Sequence, residues 1–209
     1  MNSHTRRSRI AGPAGSIECA VDEPAHGAAR GLAVLCHPHP LHGGTMDNKI
    51  VQTLARTLVP LGYASVRFNF RGIGASAGHW DHGSGEVDDA LAVIHAHRGL
   101  GQPLVLGGFS FGGYVASQAA ARLPAGEKAE RLVLVGPAVA SFPMAPVPAD
   151  TLVIHGEIDE VVPLAAVFDW ARPQALPVTV IPGAGHFFHG QLTLLKHIVT
   201  GAWHPRAAS

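Results

Sequence analysis

The feature that most constrains this chain is an alternation. Short runs dense in Val, Leu and Ile occur at 31–36, 63–70, 103–109, 131–136, 151–155 and 176–181, and between them lie stretches whose apolar residues fall three and four apart. Runs that brief and that continuous read as strands buried on both faces. The stretches between them read as helices. Residues 48–61 carry Ile50, Val51, Leu54 and Leu58, residues 86–98 carry Val87, Leu91 and Ile94, and residues 111–123 carry Val115, Ala119 and Leu123. Segments 164–171 and 190–203 complete the set. Strand then helix, repeated, calls for a parallel sheet with helices on both faces. Residues 16–21 break the pattern, set between Gly/Pro-rich turns with no helix before Gly31. They predict an antiparallel hairpin on the sheet edge. The expected fold class is α/β, a mostly parallel sheet with an antiparallel N-terminal edge.

Composition narrows what such a fold can do. Hydrophobic residues make up 47% and charged residues 14% of the 209, enough apolar surface to build a core, and no composition shift or linker divides residues 1–209 into two domains. Lys and Arg number 15, matched by 15 Asp and Glu, so no basic face awaits nucleic acid or an anionic membrane. The longest apolar stretches are about half the ~18–20 residues of a membrane span. Arg6-Arg7 is followed by Arg9 and a Gly/Pro cluster, where a twin-arginine export signal needs an apolar segment. Cys19 and Cys36 form neither a disulfide framework nor a metal pair. A soluble, cytoplasmic protein is expected.

In open α/β sheets ligands bind at the carboxyl ends of the strands, so the loops there are where chemistry is sought. The run 103–109 leads into Gly108-Phe109-Ser110-Phe111-Gly112 and then a helix of small residues. This is G-x-S-x-G in the strand, sharp turn, helix context that makes it a nucleophile elbow. The serine needs a strained turn with its hydroxyl exposed, and glycine is needed where a side chain would strike neighbouring backbone. At the helix start, the Phe111 N–H points at an oxyanion formed beside Ser110. The bland reading is a Gly-rich turn whose serine caps the helix.

A serine hydroxyl needs a base, and the base needs an acid to hold its tautomer. Downstream, the run 151–155 ends in His155-Gly156-Glu157-Ile158-Asp159-Glu160, and the run 176–181 leads to Gly183-Ala184-Gly185-His186-Phe187. Asp159 and His186 are the acid and base favoured, with Glu157, Glu160 and His189 as rivals. Glu160 can instead cap the following helix, and His189 reads as the start of the last one.

These residues resemble the α/β-hydrolase superfamily, and within it small lidless bacterial hydrolases related to dienelactone-hydrolase-like and serine-aminopeptidase-like enzymes. The resemblance also rests on His37-Pro38-His39-Pro40, Gly43-Gly44, Asn48-Lys49 and the segment from Arg67 to Ser76. It implies an α/β-hydrolase fold and a Ser110, Asp159, His186 triad in the family's chain order. The superfamily usually has His-Gly-x after its third strand, where the residue following the glycine gives a second oxyanion donor. Here Pro38 replaces that glycine, and neither Pro38 nor Pro40 has an N–H to give. His39 is left as the donor, with Leu41 as an alternative.

Other signals compete. His37, His39 and His42 have the H-x-H-x-x-H spacing of some zinc hydrolases, but Leu41 stands where an Asp is usual and the prolines restrict convergence. Gly72-Ile73-Gly74-Ala75-Ser76-Ala77 matches a dinucleotide pattern with no helix opening at it. Glu86, Asp88 and Asp89 read as helix-capping charge. Residues 137–150, with four prolines, are too short for a helical lid. Trp80, Phe142, Met144 and Phe187 are then the apolar residues set by loop order to line an open site. The expected protein is a serine hydrolase of small esters or thioesters, working without a cofactor. A non-catalytic scaffold of the same fold is the rival from another class.

Overall fold

A computed structural model describes residues 5–203; the outermost residues at each end of the 1–209 span lie outside that range. Eight strands form one sheet: β1 (Arg6–Gly12), β2 (Gly15–Asp22), β3 (Gly31–Cys36), β4 (Tyr63–Phe68), β5 (Leu104–Phe109), β6 (Arg131–Val135), β7 (Leu152–Gly156) and β8 (Val178–Ile181). Their spatial order is β1-β2-β4-β3-β5-β6-β7-β8. β1 pairs antiparallel with β2, and β2 with β4; every other pairing is parallel. The expected hairpin is therefore present, and it is longer than residues 16–21. Arg6 and Arg7 belong to it, opposite Val21 and Ala20. Arg7 also reaches out of the sheet to grip both carboxylate oxygens of Asp47, at 3.0 and 2.8 Å.

Five helices cover the sheet: α1 (Lys49–Leu58), α2 (Ser84–His97), α3 (Phe111–Arg122), α4 (Leu164–Ala171) and α5 (Leu192–Gly201). The period-2 geometry of a strand decides which core each residue joins. Leu32, Val34, Cys36, Leu104, Leu106, Leu132 and Leu134 point to the face packed by α2 and α3. Ala33, Leu35, Val105, Phe109, Val133 and Val135 point to the face packed by α1 and α5. This explains why the central strands show no polar alternation. Each large side chain so buried contributes roughly 1.5–3 kcal/mol.

The chain steps from β3 outward to β4 and then back across β3 to β5. The order of strands thus reverses between β3 and β5, which opens a crevice at their carboxyl ends. Residues 137–150 between β6 and β7 contain no helix or strand. They are tied down along α3 instead: the Pro143 carbonyl accepts from the Gln118 amide at 2.7 Å, and the Ala145 N–H donates to Ser117 Oγ at 3.2 Å. No helix among the described residues is long and apolar enough to cross a membrane.

Candidate active site

Strand β5 delivers Ser110 into a conformation that a residue with a Cβ adopts only under constraint, φ 56° and ψ −119°. Such a backbone costs about 1–3 kcal/mol and persists only where its surroundings fix it. The Ser110 N–H donates to the Val135 carbonyl at 2.9 Å, and the Ser110 carbonyl accepts from Gly113 N–H at 2.9 Å. A Cβ on Gly108 would overlap the Gly112 carbonyl, and one on Gly112 would overlap that of Cys36. Both are backbone atoms with nowhere to go, so the two glycines of the motif are sterically required.

The loops after β7 and β8 converge on this turn. Ser110 Oγ donates to His186 Nε2 at 3.1 Å, and His186 Nδ1 donates to Asp159 Oδ2 at 2.7 Å. The other Asp159 oxygen accepts the Val161 and Val162 N–H groups at 2.9 and 2.7 Å. Burial alone would raise the Asp159 carboxyl. The hydrogen bonds from His186 and Val162, with the positive sides of His186 and His155, more than offset it and hold the group below the usual carboxylate range. An ionised acid at that place fixes the tautomer of His186. Phe109 packs on His186 at 4.9 Å between ring centroids, and Phe187 meets it edge-on at 5.2 Å and 82°.

The rivals are occupied elsewhere. Glu157 Oε2 accepts the Gly183 N–H at 2.8 Å, and Glu160 is exposed beside Gly185. Glu160 does not cap α4, whose N-cap is Pro163. His189 corrects the sequence reading in a different way. It lies in the turn before α5, which begins only at Leu192, and it sits exposed against Phe187 at 5.9 Å.

The loop after β3 supplies the other wall. His37 is fully buried, its Nδ1 donating to the Pro38 carbonyl at 2.7 Å and its Nε2 accepting the Phe70 N–H at 3.1 Å. Burial pushes its pKa down to about 4, only partly resisted by the bond to Pro38, so it stays a neutral strut between the ends of β3 and β4. His39 Nδ1 accepts the Leu41 N–H at 3.2 Å, which removes the alternative donor, and His39 stacks with His42 at 4.4 Å. The three imidazoles therefore do not converge, and no group of three His, Cys, Asp or Glu among the described residues is arranged to hold a metal ion. No backbone carbonyl among the described residues accepts from the His39 or Phe111 N–H.

Aromatic rings line this side. His39 meets Trp80 at 4.7 Å and Phe111 at 5.3 Å, and Phe142 meets Phe111 at 4.9 Å. Tyr114, which sequence reasoning missed, joins the group at 5.1 Å from Phe142. Its signal was its position, four residues after Ser110 and so one helical turn along α3. Met144 lies apart, its sulfur 3.9 Å from Ser117 Oγ, seven residues along α3 and roughly 10 Å from the serine turn. Phe187, in contact with His186, also lines a cleft of about 390 Å³ with Thr45, Asp47, Lys49, His189 and Leu192. Of the acidic residues at the start of α2, only Glu86 caps, accepting the Asp81 and Gly83 N–H groups. Asp89 instead holds Arg71 at 2.9 and 3.1 Å, and Asp88 pairs with Arg122 at 2.9 Å. The glycine-rich segment from 72 to 77 folds back on β2, where Ala77 N–H donates to the Ser16 carbonyl, and no helix starts there.

Residues 29–149 match the family model described as serine aminopeptidase, S33. A lidless α/β serine hydrolase from Xanthomonas campestris is 37% identical, with 100% of this chain and 99% of that one covered and a TM-score of 0.86. An α/β serine hydrolase homologue from Coxiella burnetii is also 37% identical over 95% of this chain and 97% of its own, TM-score 0.82. An uncharacterized protein of Rickettsia prowazekii is 33% identical over 173 residues, 75% of this chain and 71% of that one. The family match over more than half of the chain and the likeness along its whole length show that the chain belongs to the serine aminopeptidase-like α/β hydrolases, as a small, lidless hydrolase.

Proposed function

We propose that this hydrolase cleaves small carboxylic esters or thioesters through an acyl-enzyme intermediate, with Ser110 as nucleophile, His186 as base and Asp159 as its orienting acid. The observation that carries the reading is the unbroken chain of hydrogen bonds, 3.1 Å from serine to imidazole and 2.7 Å from imidazole to carboxylate, on a turn held at positive φ. In this reading Ser110 Oγ attacks the acyl carbon as its proton passes to His186 Nε2. The carbonyl oxygen, now an oxyanion, is held by the N–H groups of Phe111 and His39. The intermediate collapses, His186 gives the proton to the departing alkoxide or thiolate, and a water molecule repeats the sequence to free the acid.

Trp80, Phe142 and Phe187 contact substrate in this proposal, with Met144 at the far end of the aromatic wall. The half-buried rings of Trp80 and Phe142 around Phe111, and the exposed ring of Phe187 against His186, support that assignment. Residues 1–209 are read as one domain acting on small molecules in the cytoplasm, with no cofactor called on. The test is hydrolysis of a panel of p-nitrophenyl acyl esters and acyl thioesters by the wild type and Ser110→Ala. Loss of about 10⁴-fold or more in the variant, with folding intact, is expected, and EDTA leaves the wild type unchanged. Retained ester hydrolysis by Ser110→Ala would overturn the proposal.

A further inference from the structure

Beside Asp159, near the same carboxylate oxygen that His186 meets, stands a second histidine that the proposed chemistry does not use. His155 is the fourth residue of β7 and is completely buried. Its Nε2 lies 2.8 Å from the Val162 carbonyl and 3.5 Å from Asp159 Oδ2, while Nδ1 has no partner among the described residues. A carbonyl can only accept, so Nε2 carries the proton and Nδ1 is bare. That fixes the tautomer without reference to the triad.

The consequence runs through one residue. Val162 donates its N–H to Asp159 Oδ1 at 2.7 Å and receives His155 on its carbonyl. Both polar groups of Val162 are thus engaged, one by the acid and one by the buried histidine at the end of the neighbouring strand. The turn 159–162 cannot rotate Asp159 without breaking a hydrogen bond inside the protein, where an orphaned partner is costly. We infer that His155 is a positioning residue, a fourth member beside the triad that holds the acid loop in register through its hydrogen bond to the Val162 carbonyl. The inference rests on the proposed triad.

Several features favour this over simple core packing. A leucine would fill the site without stranding Nδ1 as an unpaired acceptor, so the buried polar group is retained at a cost. Burial lowers the His155 pKa against the opposing pull of Val162 and Asp159, and His186 lowers it further. Neutral His155 can donate beside the triad without adding a cation there. The titratable groups that act on it are Asp159, from the loop that follows β7, and His186, from the loop after β8.

The experiment compares His155→Leu, which removes the donor, with His155→Gln, whose amide N–H reaches the Nε2 position. Wild-type labelling of Ser110 by a fluorophosphonate is the control: without it the triad reading fails, whatever the variants do. Given labelling, His155→Leu is expected to lose at least tenfold in kcat with KM within twofold of wild type. The acid limb of its kcat/KM profile should also move to lower pH, because a loosened carboxylate stabilises the imidazolium of His186 less. His155→Gln should recover most of kcat. If His155→Leu does not fold, His155→Asn, too short to reach Val162, takes its place against the Gln variant. A lowered Tm with kcat and the pH profile unchanged, or equal losses in the donor-lacking and donor-keeping variants, would reduce His155 to packing and overturn the inference.

Discussion

The two walls of the Ser110 crevice are built from different materials. The wall formed by the loops after β7 and β8 is a line of hydrogen-bonded side chains, Asp159 to His186 to Ser110, in which, on the proposed reading, the identity of each residue is its function. The wall formed by the loop after β3 and the aromatic rings would, on the proposed reading, work through backbone. His39 and Phe111 offer amides, His37 props the loop from beneath, and Trp80, Phe142 and Tyr114 shape the surface. A side-chain wall fails when one atom changes. A backbone wall fails when its shape does.

The largest expected effect falls on the first wall. Asp159→Asn keeps shape and volume but presents an amide where His186 needs an anion, so the wrong tautomer of His186 is favoured. Loss of about 10⁴-fold in kcat with Tm little changed is expected. A loss under tenfold would place the orienting acid elsewhere.

Gly112→Ala tests the second wall at the point where the two meet. The new Cβ would overlap the Cys36 carbonyl at the end of β3, so α3 must shift and carry the Phe111 N–H with it. Displacement of that order is expected to cost roughly 10²-fold in kcat/KM, with a lowered Tm. Wild-type rates in this variant would mean that the elbow is not held against β3.

The strut His37 predicts a pH dependence of stability. Its pKa is about 4 when folded and 6.5 when exposed, so the unfolded chain binds more protons between those values. The stabilisation is complete above pH 6.5 and is lost as pH falls toward 4, by about 3 kcal/mol for this residue. His155 and His39, also lowered by burial, add in the same direction. Urea midpoints at pH 7 and 5.5 measure part of it above the range where most carboxylates protonate. His37→Gln should shrink the difference.

The smallest effect concerns acyl length. With no roof over the aromatic wall, kcat/KM should plateau at roughly two to six acyl carbons and then decline by a few-fold, since methylenes left in water forgo the ~0.8 kcal/mol that burial gives. A steady rise from butyrate to decanoate and palmitate esters would show that something covers the cleft.

The difference between the walls also explains what the sequence made legible. Gly31–Cys36 and Leu164–Ala171 were readable to the residue, because continuous burial and helical period leave a direct trace in residue type. The proximity of Ser110, His186 and Asp159 was legible because each follows a strand whose carboxyl end faces the same crevice. His39 is proposed as the second oxyanion donor by elimination, since prolines cannot donate. Residues 6–12 were not read as a strand, because an edge strand with Arg6, Arg7 and Arg9 in it lacks the apolar signal, and charge on an edge guards it from other chains. The extra residues expected at 69–70 leave β4 because the Phe70 N–H is claimed by His37 rather than by a neighbouring strand. Tyr114 was legible only as a position one helical turn after Ser110, and His155 escaped because its significance lies in contacts across the fold, which no local pattern records.

The central claim is that Ser110 is the nucleophile of this wall of side chains. Treatment with a fluorophosphonate probe, followed by peptide mass analysis and titration of remaining ester hydrolysis, tests it most directly. One adduct per chain on the peptide containing Ser110, with activity lost in proportion to labelling, is the predicted result. Full ester hydrolysis by protein left unlabelled at Ser110, or an adduct on another residue that abolishes activity, would contradict it.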